Sequence, residues 1–161
     1  SILVSMHWGD EYSTTPNAEQ QELAQYMADL GVDVIIGEHP HVIQPMDWIE
    51  GKDGNLTLVI YSLGNFLSSQ DEAFNMLGGC ASFDIRKDGN TGETTVENVK
   101  WYPVVNHISY GDYMAGTRDY RVYLLKDYTD ELASQHRLGI TRQYFIDKTE
   151  EVMNDKFEIV Y

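Results

Sequence analysis

A strand–helix–strand unit between Ser1 and Gly37 is the strongest constraint on this chain. "SILVSM" is an apolar run that reads as a buried strand ending at His7. "TTPNAEQQELAQYMADLG" reads as a helix. Asn17 is placed to cap it, Gln20 completes a capping box three residues later, and Gly31 stops it. Leu23, Met27 and Leu30, at spacings of four and three, form its predicted apolar face. "VDVIIG" is a second short strand ending at Gly37. A βαβ unit of this length makes its two strands parallel and predicts an α/β fold. "LTLVIYSLGNF", introduced by the turn signal "GKDGN", is a third strand.

The pattern then changes. "CASFDIRKDGNTGETTVENVKWYPV" reads as two antiparallel strands joined by a polar loop. "DYRVYLLKDYTDELASQHRLG" and "TRQYFIDKTEEVMND" read as helices or partly helical segments. The expected organisation is a principal region over 1–105 and a helical or irregular extension over 106–161. Cys80, in a strand-like context, is expected in the core.

Charge narrows the partners. The net charge is −15 over 161 residues, which argues against nucleic acid, whose phosphates would be repelled. No lysine or arginine occurs before Lys52, whereas nine acidic residues do. That segment is a solvated acidic surface, and it also sets up a field that attracts cations. No apolar run approaches the ~20 residues of a membrane helix. A lone cysteine excludes an internal disulfide framework and a cysteine-based zinc site. An apolar strand beginning at Ser1 is what a piece of a longer protein would show.

The histidines stand where function collects in parallel sheets, at strand ends. His7 closes the first strand, and His39 and His41 follow the second within "GEHPHVIQP". In an extended segment, residues two apart point to one side. Pro40 is expected to hold His39 extended, so that both imidazoles aim the same way. Imidazole is a common ligand for Mn, Zn or Fe, so His7, His39 and His41 are candidate metal ligands. Each also reads as an ordinary hydrogen-bonded strand-end residue. In "HWGDEY", Asp10 and Glu11 are candidates for orienting a histidine or moving a proton, and Trp8 is rim or core. Asn65, after Gly64 in "YSLGNF", either points into the site or completes a turn. There is no Gly-rich phosphate loop, no Ser-His-Asp signature and no His-Glu-x-x-His helix.

Taken in order, "VSMHWGDEY", "LAQYMADLGVDVIIGEHPHVIQP" and "LVIYSLGNF" resemble the C-terminal part of the bacterial capsule synthesis protein family, the poly-gamma-glutamate synthesis group. That family is similar in fold to the calcineurin-like metallophosphatases. The resemblance is close from His7 to about Phe66 and looser at "WYPVV". It implies the C-terminal portion of a four-layer α/β sandwich with a divalent metal site at the sheet edges. By that analogy His7 and His39 serve one metal and His41 another; Glu11 and Asn65 stand beside them as the candidate catalytic residues. The early Asp-x-His, the bridging Asp and the Asn-His of metallophosphatases have no counterpart here.

The function implied is capsule biosynthesis, with part of a phosphoesterase-like hydrolase site. A non-catalytic role in handling or exporting an anionic polymer is the alternative. The implied location is extracellular or at the cell surface, with a membrane-associated parent. The implied partners are an N-terminal half or another chain to complete the site, a phosphoester or anionic polymer as substrate, and a second copy in a homo-oligomer.

Overall fold

The Asn17 side chain accepts from the Gln20 main-chain N–H at 2.9 Å, and the Gln20 side chain accepts from the Asn17 N–H at 3.0 Å. This closed capping box starts helix α1 (Ala18–Asp29), which follows strand β1 (Leu3–His7) and precedes β2 (Val34–Glu38). The structure, a computed structural model, describes residues 1–111 and 116–161. The remaining elements are β3 (Ile43–Glu50), β4 (Leu56–Leu63), β5 (Leu77–Lys87), β6 (Thr94–Tyr110), β7 (Arg118–Leu124), α2 (Asp130–Ser134), α3 (Arg142–Val152) and β8 (Glu158–Ile159).

Two sheets and few helices make a mixed α/β fold. The first sheet has the order β1-β2-β4-β3. Strands β1, β2 and β4 are parallel, with His7 level with Glu38, and β3 returns antiparallel along β4. The second sheet pairs β5, β6 and β7 antiparallel, and β8 adds to β6 in parallel.

The central strands β2 and β4 are buried on both faces, and the alternation of side chains shows how. Ile35, Val59 and Tyr61 pack with Trp8, Ala24 and Val32 toward α1. Val34, Leu58 and Ile60 face the other way, into a core shared with Leu77, Trp101 and Val105 of the second sheet. Phe145 and Met153, in and just after α3, close the same core.

Several expectations are corrected here. The buried stripe of α1 is Gln20, Ala24 and Ala28; Leu23 and Met27 flank it and Leu30 is exposed. Small side chains face the sheet because the helix lies close to it: Asn55 Nδ2 and the Ala28 carbonyl are 2.9 Å apart. The stretch "IQPMDWIE" is strand β3, which was not anticipated. Pro45 is tolerated there because β3 is an edge strand, where a missing N–H breaks no ladder on the open side. The segment read as helical or partly helical is partly so: Arg118–Leu124 is a strand, with Tyr120, Val122 and Leu124 alternating, and α2 follows it. Strand β6 runs unbroken across residues 105 and 106, and the region expected as a helical extension also contains β7 and β8.

Candidate functional site

His7, Glu38 and Leu63 end the three parallel strands at one edge of the first sheet. A cavity of about 590 Å³ opens there, lined among others by His7, Glu38, His39, His41, Asn65 and Cys80. Its far wall is the start of β5, and Cys80 is therefore a half-exposed lining residue rather than core. Burial raises its thiol pKa above the ordinary value.

The His-Pro-His stretch is not extended. β2 stops at Glu38, and the chain must reverse within four residues to start β3 at Ile43. His39 and His41 both take positive φ, +103° and +62°. A side chain in that region costs on the order of 1–3 kcal/mol, offset here by stitching between loops. The Trp8 N–H donates to the Glu38 carbonyl at 3.1 Å, and the Tyr12 N–H donates to the Pro40 carbonyl at 2.7 Å. Tyr12 is itself at φ +66°. The expected juxtaposition of the two imidazoles nonetheless occurs, by a turn instead of a strand. The His39 and His41 ring centroids lie 6.0 Å apart, and His7 lies 4.5 Å from His39.

Glu11, His39 and His41 each offer a ligand atom within 4.8 Å of the others. His41 Nε2 stands 3.8 Å from Glu11 Oε1. One carboxylate and two imidazoles suit a divalent transition ion. His7 lies outside this triad but against His39, so the geometry draws Glu11 toward a ligand position and leaves His7 beside it. Asp10 turns away and accepts from the Asn17 side chain at 3.0 Å, which anchors the loop to the start of α1. Trp8 is buried, and its indole N–H donates to the Tyr61 carbonyl.

Asn65 Oδ1 is 3.1 Å from His41 Nδ1. Behind it stands Gln70, whose Oε1 accepts from Asn65 and Asn75 and whose Nε2 donates to the Tyr12 hydroxyl at 3.3 Å. The Tyr12 ring stacks on His41 at 6.0 Å. Sequence reasoning missed Tyr12 and Gln70. Tyr12 adjoins the singled-out Glu11, whereas nothing in the sequence around Gln70 marks it.

The loop carrying Asn65 and Gln70 is held from the C-terminal region. Asn106 donates to the Ser68 carbonyl at 2.7 Å, and Arg137 donates to Asp71 at 2.7 Å. Below this contact lies a second histidine pair, His107 and His136, both buried. Burial is the main cause that lowers both of their pKa values. They belong to the core rather than to the cavity.

Among the described residues no helix is long and apolar enough to cross a membrane. The family described as bacterial capsule synthesis protein PGA_cap matches residues 1–70. Two curated relatives align over 88 residues, or 55% of this chain, each at 38% identity. They are the PGA biosynthesis protein CapA of Bacillus subtilis (strain 168) and the capsule biosynthesis protein CapA of Bacillus anthracis. The aligned stretch spans 22% and 20% of their respective lengths. The strands and loops that build the cavity's histidine wall fall within the matched segment, so that residues 1–70 are similar to the bacterial capsule synthesis protein family.

Proposed function

We propose that the chain is part of a capsule biosynthesis protein and supplies the histidine wall of a metal-dependent, phosphoesterase-like site. One observation carries the reading: Glu11, His39 and His41 converge within 4.8 Å at the open ends of parallel strands. Two sheets packed face to face, with a helix behind the first, support a metallophosphatase-like sandwich. A divalent cation held there would polarise a phosphoryl oxygen and acidify a bound water. This chain's own residues would hold the ion through Glu11, His39 and His41, and Asn65 would orient the His41 ring.

The open side of β1 has no partner strand among the described residues, and Leu3 on it is 48% exposed. Parallel strands are rarely left uncovered. A further segment of the parent protein, another chain or a second copy would complete both the sheet and the site. The natural substrate would be a phosphoester or an anionic polymer at the cell surface.

A non-catalytic role in polymer handling is favoured by a separate observation: the described cavity lining contains no lysine or arginine to hold an anion. Metal analysis and an aryl-phosphate assay on the full-length parent separate the two readings. Turnover that requires the metal and is lost in His39→Ala is the expected result. Bound metal with no turnover, and intact capsule with His39→Ala, would favour polymer handling.

A further inference from the structure

We propose that Gln70 is a positioning residue that sets the tautomer of His41, keeping its proton on Nδ1 and presenting the Nε2 lone pair to the cavity. The inference starts from a group that cannot turn over. The Asn75 main-chain carbonyl lies 3.3 Å from the Asn65 side chain and can only accept. The Asn65 atom facing it is therefore the amide nitrogen. Its other hydrogen goes to Gln70 Oε1 at 2.9 Å. This leaves Asn65 Oδ1, an acceptor, facing His41 Nδ1 at 3.1 Å. His41 Nδ1 must then donate. A neutral imidazole has one N–H, so Nε2 carries the lone pair.

The surroundings of Nε2 agree. Its neighbour is Glu11 Oε1 at 3.8 Å, a carboxylate oxygen at a separation too long for a hydrogen bond. With the lone pair on Nε2, a cation between these two atoms would meet an acceptor on each side.

Gln70 does not line the cavity. It acts through Asn65. Its Oε1 takes one hydrogen from Asn65 and one from Asn75, both at 2.9 Å. Its Nε2 donates to Tyr12, the ring stacked on His41. Its own N–H donates to Ser68 Oγ at 3.1 Å, which holds the residue in place. Without the Gln70 oxygen, Asn65 keeps only the longer 3.3 Å contact to the Asn75 carbonyl, and its amide can then turn to offer N–H₂ to His41, which reverses the tautomer.

The consequence for metal affinity rests on the metal-site reading above, whereas the tautomer does not. The test is long-range ¹H–¹⁵N NMR of the ¹⁵N-histidine-labelled, chelator-treated chain at about pH 8. The expected spectrum shows His41 protonated at Nδ1. Gln70→Ala should convert it to the Nε2–H form or a mixture, and Gln70→Glu, which keeps the accepting oxygen, should restore Nδ1–H. Asn65→Ala should lose the preference by a different truncation, so a Gln70→Ala chain that fails to fold leaves the test intact. In Co²⁺ titration, Gln70→Ala should bind at least about 10-fold more weakly and Gln70→Glu near the parent value. A wild-type His41 protonated at Nε2, or a tautomer unmoved by both Gln70→Ala and Asn65→Ala, overturns the proposal. The expected tautomers with no Co²⁺ binding in any variant uphold it and overturn the metal reading instead.

Discussion

The Trp8 indole N–H and the Tyr61 carbonyl meet at 2.9 Å directly over Gly37. A β-carbon at Gly37 would stand 2.0 Å from that carbonyl oxygen and 2.4 Å from the indole nitrogen. The contact ties the ends of β1, β2 and β4 where His7, His39 and Asn65 leave them. Gly37→Ala should therefore destabilise the chain by about 1–3 kcal/mol or more, because a main-chain carbonyl cannot step aside. Trp8→Phe keeps most of the ring and loses one buried hydrogen bond, which costs about 1 kcal/mol. Urea unfolding of both variants checks this. The reverse order would mean that the bond, and not the close strand approach, fixes these ends.

Acid should loosen the C-terminal region before carboxylates titrate. His107 Nδ1 lies 2.7 Å from the Tyr128 hydroxyl, and its ring is 5.2 Å from that of His136. His136 Nδ1 accepts from the Leu138 N–H at 3.1 Å, so its Nε2–H donates to the Asn106 carbonyl at 3.3 Å. Burial lowers both folded pKa values, helped at His107 by His136 and Arg121 and at His136 by Arg137, against a raising effect of the Asn106 carbonyl. A depressed folded pKa means that the unfolded chain binds the proton first. The contribution is complete above the ordinary histidine value of about 6.5 and declines as pH falls below it, by at most about 1.4 kcal/mol per pH unit for each histidine. Melting at about pH 7.5 and pH 5.5, with proton uptake measured on unfolding at about pH 6, checks the sign. Unfolding without uptake would contradict it.

How legible the site was depends on which forces set each part. The βαβ unit is local: Asn17, Gln20 and Gly31 declare the ends of α1 within a few residues, and the apolar runs declare its strands. β3 escaped because Pro45 interrupts its pattern and only its edge position makes that harmless. β7 escaped because its Tyr120–Val122–Leu124 alternation adjoins a 3-10 turn and a helix, so a long window mixes two periods. The convergence of His39 and His41 was foreseen for the wrong reason. Pro40 favours extended backbone before it, but the need to reverse into β3, and the hydrogen bonds from Trp8 and Tyr12, override that preference. Gln70 was invisible because its importance lies in which atoms of Asn65 and Asn75 face it, a matter of tertiary packing.

Metal should stabilise the folded chain through three side chains. A ligand that binds only the folded state adds RT ln(1 + [L]/Kd), about 2.7 kcal/mol at 100-fold excess over Kd. For a chain of this size that raises Tm by roughly 5–10 °C. Zn²⁺ or Co²⁺ should produce such a rise, and a chelator should reverse it. Glu11→Gln and His41→Ala should each remove most of it, since Glu11, His39 and His41 are the converging donors. His7→Ala should keep the larger part, because His7 lies beside His39 outside the triad. Equal losses in all three variants would place His7 among the ligands and overturn the present grouping.

Cys80 should report on the cavity. It is half exposed, and it lines the same wall as His39 and His41. Burial raises its pKa, so little thiolate is present at neutral pH, and the thiolate is the attacking species. Iodoacetamide at about pH 7.5 should therefore label it more slowly than a free thiol, with the rate recovering in urea. The adduct would project into the space beside the histidines and should lower Co²⁺ affinity in the labelled chain, while Cys80→Ala leaves that affinity unchanged. Labelling faster than a free thiol would instead mean that a positive environment, and not burial, dominates at the sulfur. If labelling left Co²⁺ affinity unaltered, the converging donors would have to be reached from the Glu11 side, away from β5.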